Sequence, residues 1–290
     1  MSLVHPEYLA ETDWLAAHLN DPDLRILDCN TVLYPEPDGN YRIESGHAAW
    51  AAGHIPGSRH VDLATELSDA TSALPYMAPS AAQFAEAMSS YGIGEGTRVV
   101  LYDSFMNVWA TRVWWLLHAF GFDKARVLSG GWTKWQKEGR PVSTDEPTHP
   151  RAQFIARPRP EVLANKQEVF AAIGSKTIGL VNALRPEDFA GTAPARYARP
   201  GRIPTSANVP FLSLVDPDTH AYLPAEQLRA KFAAVGATDR NRVITYCAVG
   251  LTATSDAFVL TLLGMDNVAV YDGSLTEWAA DPNMPMEKDA

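Results

Sequence analysis

The sequence predicts an α/β protein built from two tandem copies of one domain, each a mainly parallel sheet with helices on both faces. Three observations lead there: a length about twice that of a common domain, three segments that recur in the same order, and short apolar runs that alternate with helical stripes. In the chain of 290 residues, GHIPGSRHVDL at Gly53 to Leu63 returns as GRIPTSANVPF at Gly201 to Phe211. VVLYD ending at Asp103 returns as VITYC ending at Cys247, and GGWTKW at Gly130 to Trp135 returns as GSLTEW at Gly273 to Trp278. The shifts of 148, 144 and 143 residues are nearly constant. They signal duplication of a whole domain and exclude solenoids, whose units run about 20 to 50 residues.

Taken along the chain, Leu24 to Asp28 and Val99 to Tyr102 read as buried strands, and Ala81 to Tyr91 and Trp109 to Phe120 as helices. In the second copy Ile178 to Val181, Val243 to Tyr246 and Val268 to Val270 read as strands, and Ala253 to Leu263 as a helix ended by Gly264. Strands alternating with helices imply parallel sheets covered on both faces. Between the copies, GRPVSTDEPTHPRAQFIARPRP from Gly139 to Pro160 carries five prolines and few core-sized residues. The expected organisation is therefore a first domain over 1–145, a linker over 146–160 and a second domain over 161–290.

Composition narrows the function classes. Hydrophobic residues at 46%, aromatics at 10% and charged residues at 20% are ordinary for a packed globular chain. The net charge of -10, with no basic cluster to offset it, argues against nucleic acid as a partner. Neither a basic leader before an apolar core nor a membrane-length apolar run is present, so no membrane association is expected. The two cysteines, Cys29 and Cys247, can supply neither a disulfide framework nor a four-ligand zinc site, and fit a reducing compartment, with the cytoplasm as the expected location. The histidines form no H-x3-H or H-E-x-x-H pair, so no metal is expected. Gly130-Gly131 lacks the third glycine of a dinucleotide fingerprint and reads as a turn.

The copies differ where chemistry is expected. In open α/β sheets ligands bind beyond the carboxyl ends of the strands, and there the second copy has Cys247 where the first has Asp103. The loop Ala248, Val249, Gly250, Leu251 and Thr252 leads from strand to helix. A short loop of this kind gathers backbone N–H groups into an anion nest at a helix N-terminus, a setting that favours thiolate over thiol. Cys247 is thus the candidate nucleophile. Cys29, followed by no helix N-terminus, reads as a core residue, and the tryptophans Trp114, Trp115, Trp132, Trp135 and Trp278 as core or interdomain packing. Asp272, before Gly273, is placed to cap the helix that follows.

TYCAVGLTA, the upstream GRIPTSANVPF and the downstream YDGSLTEWAADP resemble the C-terminal half of two-domain rhodaneses, the thiosulfate and 3-mercaptopyruvate sulfurtransferases. GHIPGSRHVDL, RVWWLLHAFG and LSGGWTKW are similar to the inactive N-terminal domain of that family, so the resemblance spans about residues 8 to 285. It implies a catalytic second domain, a noncatalytic first domain and a cleft between them. A small donor would pass its outer sulfur to Cys247, and the persulfide would pass to a thiol, cyanide or thioredoxin-like acceptor without a metal or organic cofactor. A noncatalytic persulfide carrier of the same fold is the alternative. The related phosphatases carry a C-x5-R loop, whose arginine position here is Ala253.

This loop departs from both standard patterns. Thiosulfate-using members resemble Cys-Arg-Lys-Gly-Val-Thr and mercaptopyruvate-using members Cys-Gly-Ser-Gly-Val-Thr, whereas Ala248 and Val249 supply neither cation nor hydroxyl. The Asp and His of the mercaptopyruvate relay align near Ala64 and Tyr76, and a segment flanked by basic residues in the family reads Asp188-Phe189-Ala190-Gly191. Arg196 is the best match to the family's substrate arginine, with Arg199 and Arg202 close enough in sequence to share the role; the alternative for all three is a solvated surface.

Overall fold

A computed structural model describes residues 2–35, 41–194 and 197–289. The first copy runs Leu9–Ala10 (β1), Thr12–His18 (α1), Leu24–Asp28 (β2), Thr31–Pro35 (β3), Tyr41–Ser45 (β4), His47–Ala52 (α2), Ser58–His60 (β5), Ala81–Ser90 (α3), Arg98–Tyr102 (β6), Val108–Ala119 (α4), Ala125–Leu128 (β7) and Gly131–Lys137 (α5). The second runs Leu163–Ala164 (β8), Lys166–Ala172 (α6), Ile178–Asn182 (β9), Pro186–Ala190 (α7), Ala207–Asn208 (β10), Ala225–Ala234 (α8), Arg242–Tyr246 (β11), Ala253–Leu262 (α9), Val268–Tyr271 (β12) and Ser274–Ala280 (α10). The strands and helices read from periodicity are present, with ends within a residue or two.

Both main sheets are wholly parallel and share one strand order, β1-β7-β6-β2-β5 in the first and β8-β12-β11-β9-β10 in the second. The duplication therefore extends from sequence to topology. It reaches hydrogen bonds too: Tyr102 Oη meets Ser58 Oγ at 2.8 Å as Tyr246 Oη meets Ser206 Oγ at 2.6 Å. Trp135 Nε1 donates to the Pro141 carbonyl as Trp278 Nε1 donates to that of Pro285. The hairpin β3–β4, antiparallel with Leu33 opposite Ile43, was not among the predicted elements and belongs to the first copy.

Period-2 alternation sends successive strand residues to opposite faces. Ile26, Val100 and Tyr102 pack with Leu15 and Trp135 on the outer face of the first sheet, and Ile244, Tyr246 and Tyr271 with Trp278 on the outer face of the second. The inner faces share a single core in which α4 and α9 lie together. All but one residue of each of these two helices is buried, which explains why neither has a strong polar face. Thr111 Oγ1 lies 3.1 Å from Thr254 Oγ1 and 3.2 Å from Ser255 Oγ, and the Trp114 ring meets Phe258 edge-on at 4.8 Å. Such an aromatic pair adds about 0.5–1.5 kcal/mol beyond area burial. Each helix ends at a glycine in the left-handed region, Gly121 and Gly264, where the following N–H reaches back to Leu117 and Leu260.

Between α5 and Pro160 the chain has no helix or strand and runs along the first copy, Ala152 N–H donating to Ser89 and Arg157 N–H to Phe120. Val4 N–H bonds Leu262 O, so the chain start is tied to the second copy. Among the described residues no helix is long and apolar enough to cross a membrane.

Candidate active site

Cys247 follows the central strand β11, whose neighbours β9 and β12 fix its height at the sheet's carboxyl end. The loop to α9 is held from outside by the start of α10. Ser274 Oγ accepts the Cys247 N–H at 3.0 Å, Leu275 N–H donates to Cys247 O, and Thr276 donates both its N–H and its hydroxyl to Ala248 O at 2.9 Å. Gly250 takes φ +76°, and a Cβ there would stand 2.5 Å from Asp272 O, so turn and close approach both require glycine.

With the loop carbonyls bound outward, no protein acceptor among the described residues takes the N–H groups of Ala248, Val249, Gly250, Leu251, Thr252 or Ala253. Gly250, Leu251 and Ala253 are buried, where an unmade backbone bond costs as much as a lost one. The first copy shows what satisfies such a loop. The Asp103 carboxylate, at the position of Cys247, accepts from Phe105 N–H at 2.7 Å, Asn107 N–H at 3.0 Å and Ala110 N–H at 2.8 Å. Burial pushes this carboxyl up to about 6, the three N–H groups pulling against that and Asp28 adding to it. At neutral pH the first nest therefore holds its own anion.

Cys247 is 1% exposed at the floor of a cavity of about 760 Å³ between the copies. Ala248, Val249, Leu251 and Thr252 line it and Gly250 does not. Across the cavity stand residues of the first copy, among them Leu33 and Ile43 of the hairpin, Tyr76, Phe105 and Trp109. Tyr76, at the expected relay histidine position, has a phenol pushed up to about 12 by burial, with Asp62 adding to it.

Of the expected arginines, Arg199 and Arg202 do not line this cavity. Arg199 donates to the carbonyls of Ala279, Trp278 and Asp281, where it satisfies the C-terminal end of α10. Arg202 pairs with Glu287 and Asp289 and stacks on Phe189. Both have carbonyl or carboxylate partners close in the fold, so the role assigned from sequence proximity is corrected. Arg196 lies outside the described residues. Among the described residues the cation that lines the cavity is Arg185, which sequence reading missed; its Nε donates to Asp188 Oδ2 at 2.9 Å and its Nη1 is 3.2 Å from Glu187. The acidic Asp188 is thus matched by a local arginine three residues earlier.

Asp272 does not cap α10 either. Its carboxylate takes Arg112 Nη1 at 2.6 Å and Ala78 N–H at 2.6 Å, while Arg112 also donates to the carbonyls of Tyr76 and Gly250. Arg112 is fully buried on α4, so a first-copy guanidinium supports the second copy's loop from beneath. Helical periodicity places Arg112 in an apolar stripe, and the charge interrupting that stripe was the available signal. Cys29 is fully buried and burial pushes its thiol up. Gly130 and Gly131 turn the chain so that Trp132 N–H meets Asp103 O, as Leu275 N–H meets Cys247 O.

Comparison with known proteins agrees with this architecture. The rhodanese-like domain family matches the chain twice, over residues 11–138 and 175–281. The sulfur carrier protein TtuD of Thermus thermophilus is 32% identical over 302 residues, covering 99% of both chains, and the thiosulfate sulfurtransferase of Bos taurus is 35% identical over 280 residues, covering 93% of this chain and 91% of its own. The crystal structure of SseA, a 3-mercaptopyruvate sulfotransferase from Escherichia coli, superposes with a TM-score of 0.81 at 30% identity, over 92% of this chain and 98% of that one. With two matched domains, one shared strand order and relatives aligned end to end, the chain belongs to the two-domain rhodanese family of sulfurtransferases.

Proposed function

We propose that the chain moves a sulfane sulfur from a small donor of the thiosulfate or 3-mercaptopyruvate class, through a persulfide on Cys247, to a thiophilic acceptor. Residues 161–290 form the catalytic unit, residues 1–145 the noncatalytic one, and 146–160 the linker. The observation that carries this reading is the difference between the two nests. In the first, Asp103 fills the loop with an anion; in the second, the same loop position carries a thiol and the N–H groups have no protein acceptor among the described residues. A persulfide places its outer sulfur the same number of bonds from Cα as a carboxylate oxygen. Sulfur loading therefore gives the second nest the anion that the first has by sequence.

In the first half-reaction the Cys247 thiolate attacks the donor's outer sulfur. A new S–S bond forms, the donor's bond to that sulfur breaks, and its electron pair leaves with sulfite or with the enolate of pyruvate. In the second, an acceptor thiolate or cyanide takes the outer sulfur and restores the Cys247 thiolate. Thr276 and Ser274 hold the loop open through Ala248 O and Cys247 N–H without contacting the sulfur themselves.

Incubation with thiosulfate, mercaptopyruvate and glutathione persulfide, followed by mass spectrometry, should add about 32 Da, one sulfur atom, to Cys247. Cys247→Ser should abolish loading and Cys29→Ser should retain it. Loading that survives Cys247→Ser defeats the proposal. The similarity to a sulfur carrier protein favours a second reading, in which the persulfide is delivered to a protein without turnover of small acceptors. Stoichiometric loading with no catalytic thiocyanate formation from cyanide would select it.

A further inference from the structure

The two copies differ a second time, at an edge of each sheet. In the second copy Asn208 of β10 lies in register with Asn182 of β9, and its amide donates to the carbonyls of Asn182 and Leu184. In the first copy the corresponding pair, in the same parallel register, is His60 of β5 and Asp28 of β2. Asp28 Oδ1 accepts the Asn30 N–H at 2.8 Å, as Asn182 Oδ1 accepts the Leu184 N–H at 2.8 Å. The turn after the strand therefore needs only an acceptor oxygen, and an amide supplies it as well as a carboxylate does. The acid and the base of the first copy go beyond what the turn requires.

We infer that this pair activates the hydroxyl of Ser45, and that Ser45, His60 and Asp28 form an esterase-type site for small activated carboxylic esters, separate from the sulfur chemistry of Cys247. Ser45 Oγ lies 2.9 Å from His60 Nε2, and His60 Nδ1 lies 3.6 Å from Asp28 Oδ1. Neighbouring groups set the hydrogen-bond roles. Ser45 Oγ accepts the His47 N–H at 3.3 Å, which leaves its own hydrogen for His60. Nε2 is then the acceptor, and the neutral ring carries its proton on Nδ1, facing the carboxylate. That nitrogen is buried and has no closer partner among the described residues. The side chains of His60 and Asp28 are 4% and 3% exposed, whereas Ser45 is an exposed residue. A base and the acid that orients it are thus shielded from water beneath a hydroxyl that a small ester can reach.

The backbone holds that hydroxyl in place. Ser45 ends β4, the next N–H, of Gly46, donates to Asn30 O at 3.0 Å, and a Cβ on Gly46 would stand 2.4 Å from that oxygen. Glycine lets the end of the hairpin seat against the exit of β2, next to Asp28. Among the described residues the second copy has no such hairpin, so nucleophile, base and acid come together only in the first.

The reaction balances with water as the one co-reactant. Ser45 Oγ attacks the ester carbonyl carbon and its proton passes to His60 Nε2. The acyl–oxygen bond then breaks, and the leaving alkoxide takes that proton. Asp28 faces the imidazolium formed between these steps, across a contact that tightens as the ring gains charge. Water next attacks the acyl-serine and gives a proton to His60 Nε2; Ser45 Oγ leaves with it, and the carboxylic acid is released.

The test measures p-nitrophenol release from p-nitrophenyl acetate by the full chain carrying Cys247→Ser, which removes acylation of the reactive thiol. Several turnovers per chain are expected, with the acetyl group trapped on Ser45 by acid quench and located by mass spectrometry. Ser45→Ala and His60→Asn should each lower kcat/KM about 100-fold or more, the contribution of a positioned acid–base group. Asp28→Asn should lower kcat at least about tenfold with KM little changed, because an amide no longer fixes Nδ1 as the protonated nitrogen. His60→Asn with Asp28→Asn reproduces the residue pair of the second copy and should keep the fold, as read by circular dichroism and by sulfur loading of the same double variant with Cys247 intact. Turnover lost in folded Ser45→Ala and His60→Asn chains supports the inference. Absence of turnover, rates unchanged by either substitution, or an acetyl group on a residue other than Ser45 overturns it and leaves the role of Cys247 standing.

Discussion

After β6 the chain closes its loop on Asp103; after β11 it leaves the same kind of loop open at Cys247. The two loops share the strand end, the positive-φ residue (Met106 with φ 56° and Gly250 with φ 76°) and the helix that follows. They differ in what meets the N–H groups. In the first copy three of them bond a carboxylate that is 1% exposed, so the nest is structural and sealed. In the second, no protein acceptor among the described residues meets the N–H groups, which under the proposed function receive a group that arrives with the reaction. The nest is therefore a property of the fold, and the side chain at the strand end decides whether it stabilises the protein or serves chemistry.

The largest effect is expected where the copies join. Arg112 and Asp256 occupy equivalent positions of α4 and α9, 144 residues apart, and both are fully buried. Arg112 is paired with Asp272 across the copies, whereas neither oxygen of Asp256 has a partner among the described residues, and burial pushes its carboxyl well up. Arg112→Ala should cost about 3–5 kcal/mol in denaturant unfolding because it strands the buried Asp272 carboxylate. Asp256→Asn should cost far less, since a carboxyl kept protonated by burial already resembles an amide in charge. Equal losses in the two variants would break the comparison and place a hidden partner on Asp256.

A smaller effect comes from the Asp103 nest. Its folded-state value of about 6 lies above the ordinary 3.8, so the folded state binds the proton more tightly than the unfolded chain. Stability from this group is complete below the ordinary value and is lost as pH rises through about 6. The unfolding free energy of the parent relative to Asp103→Asn should therefore fall by on the order of 3 kcal/mol between those limits. Subtraction against the variant removes the opposite contribution of groups such as Asp123, which Arg159 holds far below the usual carboxylate range. A flat difference would mean that the three N–H bonds fully offset burial, and would make the nest a stronger anion binder than Asp103 alone indicates.

What could be read in the sequence follows from which interactions are local. Strands such as Val243 to Tyr246 announce themselves because both faces of a parallel sheet are buried, and the duplication announces itself by repetition. Cys247 was legible because chain order alone places it between a strand and a helix. The commitments of Arg199 and Arg202 were not, because proximity in sequence does not say which way a side chain turns, and both found partners 80 or more residues away. The Arg112–Asp272 pair, 160 residues apart, and the hairpin wall opposite Cys247 depend on how the copies dock: a charge within the apolar stripe of α4 marks Arg112 but does not name its partner, and no single segment marks the wall.

The smallest expected effect concerns the two residues that distinguish this loop from those of its relatives. Ala248 and Val249 line the cavity beside Cys247 and are partly exposed, so larger side chains there can point into the cleft without displacing the core. Ala248→Arg with Val249→Lys should raise kcat/KM for thiosulfate about tenfold, or about 1.4 kcal/mol of transition-state stabilisation, because a dianion would then meet cations as well as dipoles. The same double variant should raise kcat/KM for 3-mercaptopyruvate, a monoanion, by less, because the Coulomb gain scales with the charge it meets. Asp188 is close enough to the cavity to neutralise part of the gain, but it is already paired with Arg185, which limits that loss. Comparison of both donors at two salt concentrations separates the causes: a thiosulfate gain that shrinks with salt is electrostatic, as screening requires. A gain absent at low salt would show that the side chains at 248 and 249 do not select the donor, and the comparison between the copies would then extend from the nest to the residues of both copies that line the cleft above it.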